Sequence, residues 1–131
     1  RLQALVEQYD LTDRVQLELG FLSHERIAKY VNEALACAYL PIDEDSVGYV
    51  TMEAFASAKA MLTVSDSSGL LELVRHGDTG LVIQPDPESL AAAIDQLANN
   101  RNTTIKMGKE AHALWLGLNV TWPATIERLL A

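Results

Sequence analysis

Hydrophobic residues follow two different periods along the chain, and the change of period divides it into helices and strands. Apolar residues at helical spacing predict seven helices, over residues 1–9, 24–34, 49–58, 70–75, 87–97, 103–116 and 121–131. Strict alternation of apolar and polar residues over Val15–Leu19 predicts a half-buried strand. Continuous apolar runs predict three further strands, over residues 36–40, 60–64 and 81–83. The first of these runs is wholly apolar, so we expect it to be buried on both faces.

Helices and strands alternate through most of the chain, which predicts a doubly wound α/β domain with parallel strands and right-handed crossovers. We expect one domain over residues 1–131, with a β/α core at 1–100 and terminal helices at 101–131. Ligands of such sheets bind beyond the carboxyl ends of the strands. The loops at 42–48 and 65–69 each follow a predicted strand, so we expect them to meet at one crevice there.

The stretch Pro41–Ala58 is where the sequence predicts a ligand site. An acidic loop, Asp43–Asp45, is followed by Gly48 and by a helix whose only formal charge is Glu53. A carboxylate on so apolar a helix is costly to bury unless it accepts hydrogen bonds. The free N–H groups where the helix begins near Gly48 suit a phosphate or another anion. Together these features predict a pocket for a ligand that carries both phosphate and hydroxyl groups.

The same acidic residues also allow plainer interpretations. Glu53 can be a partly exposed helix residue without a ligand. Asp43 and Glu44 are best explained as a solvated loop that favours the helix start through its dipole. Glu72 fits a surface position on a short helix as well as it fits a ligand contact.

Composition and charge exclude several classes of partner. The chain has 131 residues, 49% of them hydrophobic, and a net charge of −8, so nucleic acids and anionic lipid surfaces are poor partners. No apolar run approaches the roughly 20 residues that span a bilayer. The single cysteine, Cys37, lies in an apolar run, which indicates a buried thiol and a reducing, cytoplasmic setting. The three histidines lack metal-ligand spacing, so we predict no metal site.

Five short motifs, in order along the chain, carry a resemblance to a known family. One of them is the stretch from Asp45 to Glu53, DSVGYVTME, which resembles the paired-carboxylate motif E-x7-E of family 4 retaining glycosyltransferases (glycosyl transferases group 1). The others that resemble this family are LGF at 19–21 followed by Glu25, SGLLELV at 68–74, GDTGLV at 77–82 and the Thr121-Trp122 pair. The resemblance extends over essentially the whole chain.

The resemblance implies a GT-B fold with two Rossmann-like domains, of which this chain is the carboxy-terminal, donor-binding one, truncated at its amino end. It implies that Asp45 is the catalytic residue at the hydroxyls of the transferred sugar, and that Glu53 binds the ribose hydroxyls. The remaining implied donor contacts are the amides around Ser46, Val47, Gly48 and Tyr49, facing the sugar and diphosphate, and the loop at Ser68 and Gly69. The implied donor is a nucleotide-diphosphate sugar, transferred with retention and without a cofactor or metal.

The chain also departs from the family pattern at several positions. Asp45 replaces the usual glutamate and is one methylene shorter, and Ala58 and Ala60 replace a glycine and a proline. The family's Arg…Lys pair, its first two strands and its acceptor-binding domain would all lie upstream. A leaving diphosphate needs such cations or a metal, so we expect this polypeptide to be inactive alone. The alternative hypothesis is a non-catalytic module that binds a nucleotide sugar weakly or mediates assembly.

The missing strands have a structural consequence. In the family's sheet the strand at Val15–Leu19 and the strand at 36–40 are separated by the two absent ones. Unpaired strand edges favour pairing with another chain. We therefore expect either self-association through these edges or a first helix and strand packed differently from the parent fold. The parent is expected to be cytoplasmic, or peripheral at a membrane.

Overall fold

The computed structural model describes residues 1–43 and 46–131. In this part of the chain three parallel strands form one sheet in the order β1-β2-β3, and these strands are β1 Ala36–Ala38, β2 Ala60–Val64 and β3 Gly80–Ile83. The helices are α1 Leu2–Gln8, α2 His24–Glu33, α3 Tyr49–Ala56, α4 Ser68–Leu71, α5 Pro87–Asn99, α6 Arg101–Leu118 and α7 Trp122–Leu130. The predicted α/β class with a parallel sheet is therefore confirmed.

The core lies on both faces of β2, which is buried along its whole length. Successive residues of a strand point to opposite faces. On one face, Met61 joins a cluster that includes Phe55 of α3. On the other face, Leu62 packs with residues of β3 and α5. Helix α6 contributes to both clusters, and so it packs against the sheet.

The predicted strand at Val15–Leu19 is absent, and this prediction was wrong. A strand is stabilised by backbone hydrogen bonds to a neighbouring strand, and the three described strands pair only with one another. The segment is held instead through a side chain: Glu18 Oε1 accepts hydrogen bonds from Tyr30 Oη at 2.5 Å and from Arg26 Nη2 at 2.6 Å, both on α2. The apolar positions of the alternation do not mark burial here, because Val15 and Leu19 are exposed.

Strand β1 is less buried than its sequence predicts. Ala36 and Cys37 are half-buried and Ala38 is exposed, because β1 is an edge strand with β2 as its one neighbour in the described sheet. The expectation of burial on both faces was therefore wrong for β1, whereas β2 meets it. None of the described helices combines the length and the apolar character needed to cross a bilayer.

Candidate functional site

Helix α3 begins without a side-chain cap. Its N-cap residue is Gly48, and its first turn contains no acidic residue. The amide of Thr51 bonds back to the Gly48 carbonyl oxygen at 3.2 Å. The N-cap residue itself, a glycine, supplies no side-chain hydrogen bond to the first turn. A helix start of this kind is a usual place for an anion.

Backbone geometry explains the glycine at this helix start. Gly48 has φ 70° and ψ 135°, a conformation that side-chain-bearing residues rarely adopt. A Cβ atom at Gly48 would lie 2.8 Å from Cε1 of Tyr39, which follows β1. The turn into α3 is therefore pressed against the end of β1, at the carboxyl edge of the sheet.

A hydrogen bond joins the predicted loop at 65–69 to Pro41, the residue before the predicted loop at 42–48. The buried Ser67 donates from Oγ to the carbonyl oxygen of Pro41 at 3.3 Å. Ser68 then begins α4 with an exposed side chain, and Gly69 is buried behind it. The start of α4 thus lies beside the residues that follow β1.

Glu53 lines a cavity of about 290 Å³ between α2 and α3. The cavity is lined by His24, Ile27, Ala28, Val31, Glu53, Ala56 and Ser57. Within the described part of the chain the half-buried carboxylate of Glu53 makes no hydrogen bond or ion pair with protein. Its acceptor oxygens are therefore available to hydroxyl groups of a ligand.

The other predicted site residues lie around the start of α3. Ser46 is exposed and Val47 half-buried, and Tyr49 is exposed in the first turn. Glu53 follows Gly48 by five residues, about 7.5 Å along the helix axis. Asp45, the predicted catalytic residue, lies outside the described residues together with Glu44. The role of Asp45 stays a prediction.

Two polar residues of the cavity escaped the sequence analysis, His24 and Ser57. The signal was present in α2, whose cavity-lining residues recur at positions i, i+3, i+4 and i+7. A single sequence does not say which helix face meets which, so this stripe could not be matched to the Glu53 face of α3. Two buried hydroxyls without a partner, on Thr51 and Thr63, were also missed.

Neither a metal nor a reactive thiol is indicated near the site. Across residues 1–43 and 46–131 no three His, Cys, Asp or Glu side chains are grouped to hold a metal ion. Burial raises the pKa of the Cys37 thiol, partly opposed by the positive charge of Lys59. A thiol with a raised pKa is a weak nucleophile near neutral pH, which agrees with an apolar packing role for Cys37.

Comparison with known sequences identifies the family. The family model described as glycosyl transferases group 1 matches residues 1–113. A curated relative, an exopolysaccharide phosphotransferase of Streptomyces coelicolor, is 34% identical over 117 residues. That match covers 86% of this chain and 12% of the relative, so the chain spans a small part of that protein.

Solved structures place the fold within the same family. Sucrose-phosphate synthase from Thermosynechococcus elongatus is 29% identical, with a TM-score of 0.81, over 99% of this chain and 33% of that one. HepE of Anabaena, solved in complex with UDP-glucose, is 24% identical with a TM-score of 0.77, over 87% of this chain and 30% of that one. The chain thus spans about a third of these structures. It belongs to the glycosyl transferases group 1 family, in which its fold is that of the carboxy-terminal, nucleotide-sugar-binding domain of GT-B enzymes.

Proposed function

We propose that this domain binds the nucleotide-diphosphate sugar donor of a retaining glycosyltransferase of the hexosyltransferase type. The observation that supports the proposal is the combination on α3 of an uncapped helix start at Gly48 and an unpaired, half-buried carboxylate at Glu53. The first suits a diphosphate, because helix N-termini present free N–H groups and a positive dipole end. The second suits the ribose hydroxyls, which are hydrogen-bond donors.

In this proposal different residues along the carboxyl edge of the sheet contact different parts of the donor. In this proposal the diphosphate lies against the amides from Ser46 to Tyr49. The start of α4, at Ser68 and Gly69, borders the sugar. Asp45 contacts the sugar hydroxyls near the reacting carbon. UDP-glucose is the first donor to test, because HepE is solved in complex with it.

We propose that transfer itself requires more than this chain. In the reaction the bond from the sugar's anomeric carbon to the diphosphate breaks. A bond to the acceptor oxygen forms on the same face, and the proton of the acceptor hydroxyl passes to the leaving diphosphate oxygen. The leaving diphosphate gains negative charge, which cations or a metal must stabilise. Two of the described cations are already engaged, since Arg26 pairs with Glu18 and Lys59 donates to the Asn32 carbonyl at 2.9 Å. We therefore propose that the chain binds donor and does not transfer sugar alone.

Calorimetric titration of the purified chain with UDP-glucose tests the donor-binding proposal. Glu53→Gln removes the charge and keeps the shape, and it should weaken binding by about tenfold or more, because a hydrogen bond to a charged group contributes about 1.5–3 kcal/mol. Glu110→Gln, on the exposed side of α6, is the matched control and should bind as the parent chain does. Parent-like affinity in Glu53→Gln, or no binding of any nucleotide sugar by the parent chain, would overturn the proposal.

A second candidate function is a non-catalytic module that binds a nucleotide sugar or mediates assembly within a longer protein. The curated relative favours this second function, because it is named for phosphotransfer and not for sugar transfer. The matched region makes up 12% of that relative. Grafting this domain onto an active relative's acceptor domain separates the two functions. Donor binding without sugar transfer would favour the non-catalytic module, and transfer that is lost in Asp45→Asn would favour the enzyme.

The free edge of β1 is the proposed contact for another strand. A cavity of about 240 Å³ lies beside it, between β1 and the α5 residues Ile94, Leu97 and Ala98. Ile94 is 52% exposed there, although it is a large apolar residue. We propose that this edge pairs with another strand of the longer protein to which the domain belongs, or with a strand of a second copy of this chain. Sedimentation that gives a monomer at all concentrations would exclude the second copy.

A further inference from the structure

We infer that Tyr39 is a positioning residue of the donor site, whose ring sets the place of the turn at Gly48 and of the amides that follow it. The inference rests on the proposed donor-binding function, because those amides are the proposed contacts of the diphosphate. It starts from the close approach of one edge of the Tyr39 ring to Gly48, the N-cap residue of α3.

The backbone of Tyr39 is fixed by the sheet. Strands β1 and β2 are paired up to Ala38 and Leu62. The amide of Tyr39 continues this pairing, because it donates to the Leu62 carbonyl oxygen at 3.0 Å. Tyr39 therefore reaches the carboxyl edge of the sheet with its backbone still held, and this is the edge where the diphosphate is proposed to lie.

The ring of Tyr39 is fixed by the core. Alternate residues of a strand face the same side of a sheet, and Cys37 and Tyr39 both pack against the cluster that contains Phe55 and Met61. Tyr39 is half-buried, so this cluster covers only part of it. A ring held in this way forms a rigid support, because few rotatable bonds separate it from the backbone.

The edge of the ring lies against Gly48. A Cβ atom at Gly48 would lie 2.8 Å from Cε1 and 3.4 Å from both Cδ1 and Cζ of Tyr39. The ring thus occupies the space in which any other residue would carry its side chain. The Gly48 carbonyl oxygen accepts from the Thr51 amide at 3.2 Å, so the residue against the ring also belongs to the start of α3. A displacement of the ring would therefore move the amides at the helix start.

A purely structural role for Tyr39 predicts a different result from a positioning role. Leucine could fill the part of the site that packs in the core, but it lacks the Cε1 and Cζ atoms that approach Gly48. Without those atoms the turn gains backbone freedom, which must be removed again when a ligand binds. A structural role lowers only the free energy of unfolding. A positioning role also lowers the affinity of the folded chain for the donor.

Calorimetric titration with UDP-glucose, under conditions in which each variant is folded, tests the inference. Tyr39→Leu should weaken binding by about fivefold or more, because binding must then order the backbone of the turn. Tyr39→Phe keeps the ring edge and should bind as the parent chain does. Tyr9→Leu, at the exposed end of α1, is the matched control and should also bind as the parent chain does. If Tyr39→Leu does not fold, Tyr39→Met replaces it, since methionine fills core space without a rigid ring.

A double-mutant cycle in urea denaturation tests the contact without any ligand. Gly48→Ala should lower the free energy of unfolding less in the Tyr39→Leu background than in the parent chain, because the ring that its Cβ atom meets is gone. Equal losses in the two backgrounds, parent-like affinity in Tyr39→Leu, or equal weakening in Tyr39→Phe and Tyr39→Leu would each overturn the inference. These failures differ from failure of the proposed function. In that case the parent chain binds no nucleotide sugar, or Glu53→Gln binds as the parent chain does.

Discussion

The two ends of α3 differ in almost every respect. At its start the N-cap residue is Gly48, which has no side chain to cap the helix, and the exposed Tyr49 follows it. At its end two carbonyls of the last turn accept hydrogen bonds from residues beyond the helix: the Lys59 amide bonds to Ala54 O at 2.8 Å and the Ala58 amide to Phe55 O at 3.1 Å. His112 of α6 adds a contact from Nδ1 to Phe55 O at 3.1 Å.

Under the proposed function, this difference divides stability from binding on one short helix. The pair of hydrogen bonds at the end of α3 is a Schellman motif, and α6 packs directly over it. The position of the helix is fixed at this end, so it does not depend on a side-chain cap at Gly48. If this division is correct, substitutions at the closed end should change the free energy of unfolding. Substitutions at the open end should change donor binding as well.

The largest effect is expected at Gly108, where α6 crosses the closed end of α3. A Cβ atom there would lie 2.2 Å from the Ala58 carbonyl oxygen, a backbone atom that cannot rotate away. Gly108→Ala should therefore lower the free energy of unfolding by about 3 kcal/mol, measured by urea denaturation. Gly117→Ala on the same helix is the control, because a Cβ atom at Gly117 meets nothing within 4 Å. A Gly108→Ala variant as stable as Gly117→Ala would contradict the close packing.

The next largest effect is expected at Gly48, at the open end. Gly48→Ala combines an unfavourable φ of 70° with a Cβ atom 2.8 Å from Tyr39 Cε1, at a cost of about 2 kcal/mol. It should also weaken UDP-glucose binding, since the turn that presents the amides must shift. Gly77→Ala is the control that separates backbone strain from the clash with Tyr39, because Gly77 has a φ of 79° but open space around it. Equal loss of donor affinity in both variants would show that Gly48 has no special part in binding.

A smaller effect, of opposite sign, is expected at Ala58. Ala58 has φ 55°, so the last turn of α3 ends on a left-handed alanine. A left-handed conformation costs a residue with a Cβ about 1–2 kcal/mol, and the added freedom of glycine in the unfolded chain offsets part of the gain. Ala58→Gly should therefore raise the free energy of unfolding by about 1 kcal/mol and leave donor binding unchanged. A destabilised variant would show that the conformation is not strained.

Ala58 also shows what sequence could and could not give. The family pattern has glycine at this position, and φ 55° explains why, but the sequence alone showed only the departure. Strands β2 and β3 were predictable because continuous apolar runs mark burial in a parallel sheet. The structure of Val15–Leu19 was not predictable in this way. Alternation is a local signal, whereas a strand forms only beside another strand. The face shared by His24 and Glu53 was not predictable either, since helix pairing depends on the whole fold.

The smallest effect is expected at the start of α5. Like α3, this helix follows the end of a strand, but its first turn is capped by the side chain of Asp86. Asp86 accepts from the Ser89 amide at 2.8 Å and from Ser89 Oγ at 2.7 Å, and these bonds lower the pKa of its carboxyl. A carboxyl whose pKa is lower in the folded than in the unfolded chain stabilises the fold above its unfolded pKa of about 3.9. This stabilisation is lost as the pH falls through the folded pKa. Urea denaturation below about pH 4 should therefore show a stability loss in the parent chain that is smaller in Asp86→Asn.

Asn can still cap a helix, so Asp86→Asn should be nearly as stable as the parent chain at neutral pH. Asp95→Asn on the same helix controls for the loss of one negative charge. An unchanged acid slope in Asp86→Asn would mean that the cap contributes nothing through its charge. The capped start of α5 would then resemble the open start of α3 more closely than the structure indicates. The contrast between closed and open helix ends would rest on backbone and packing contacts alone.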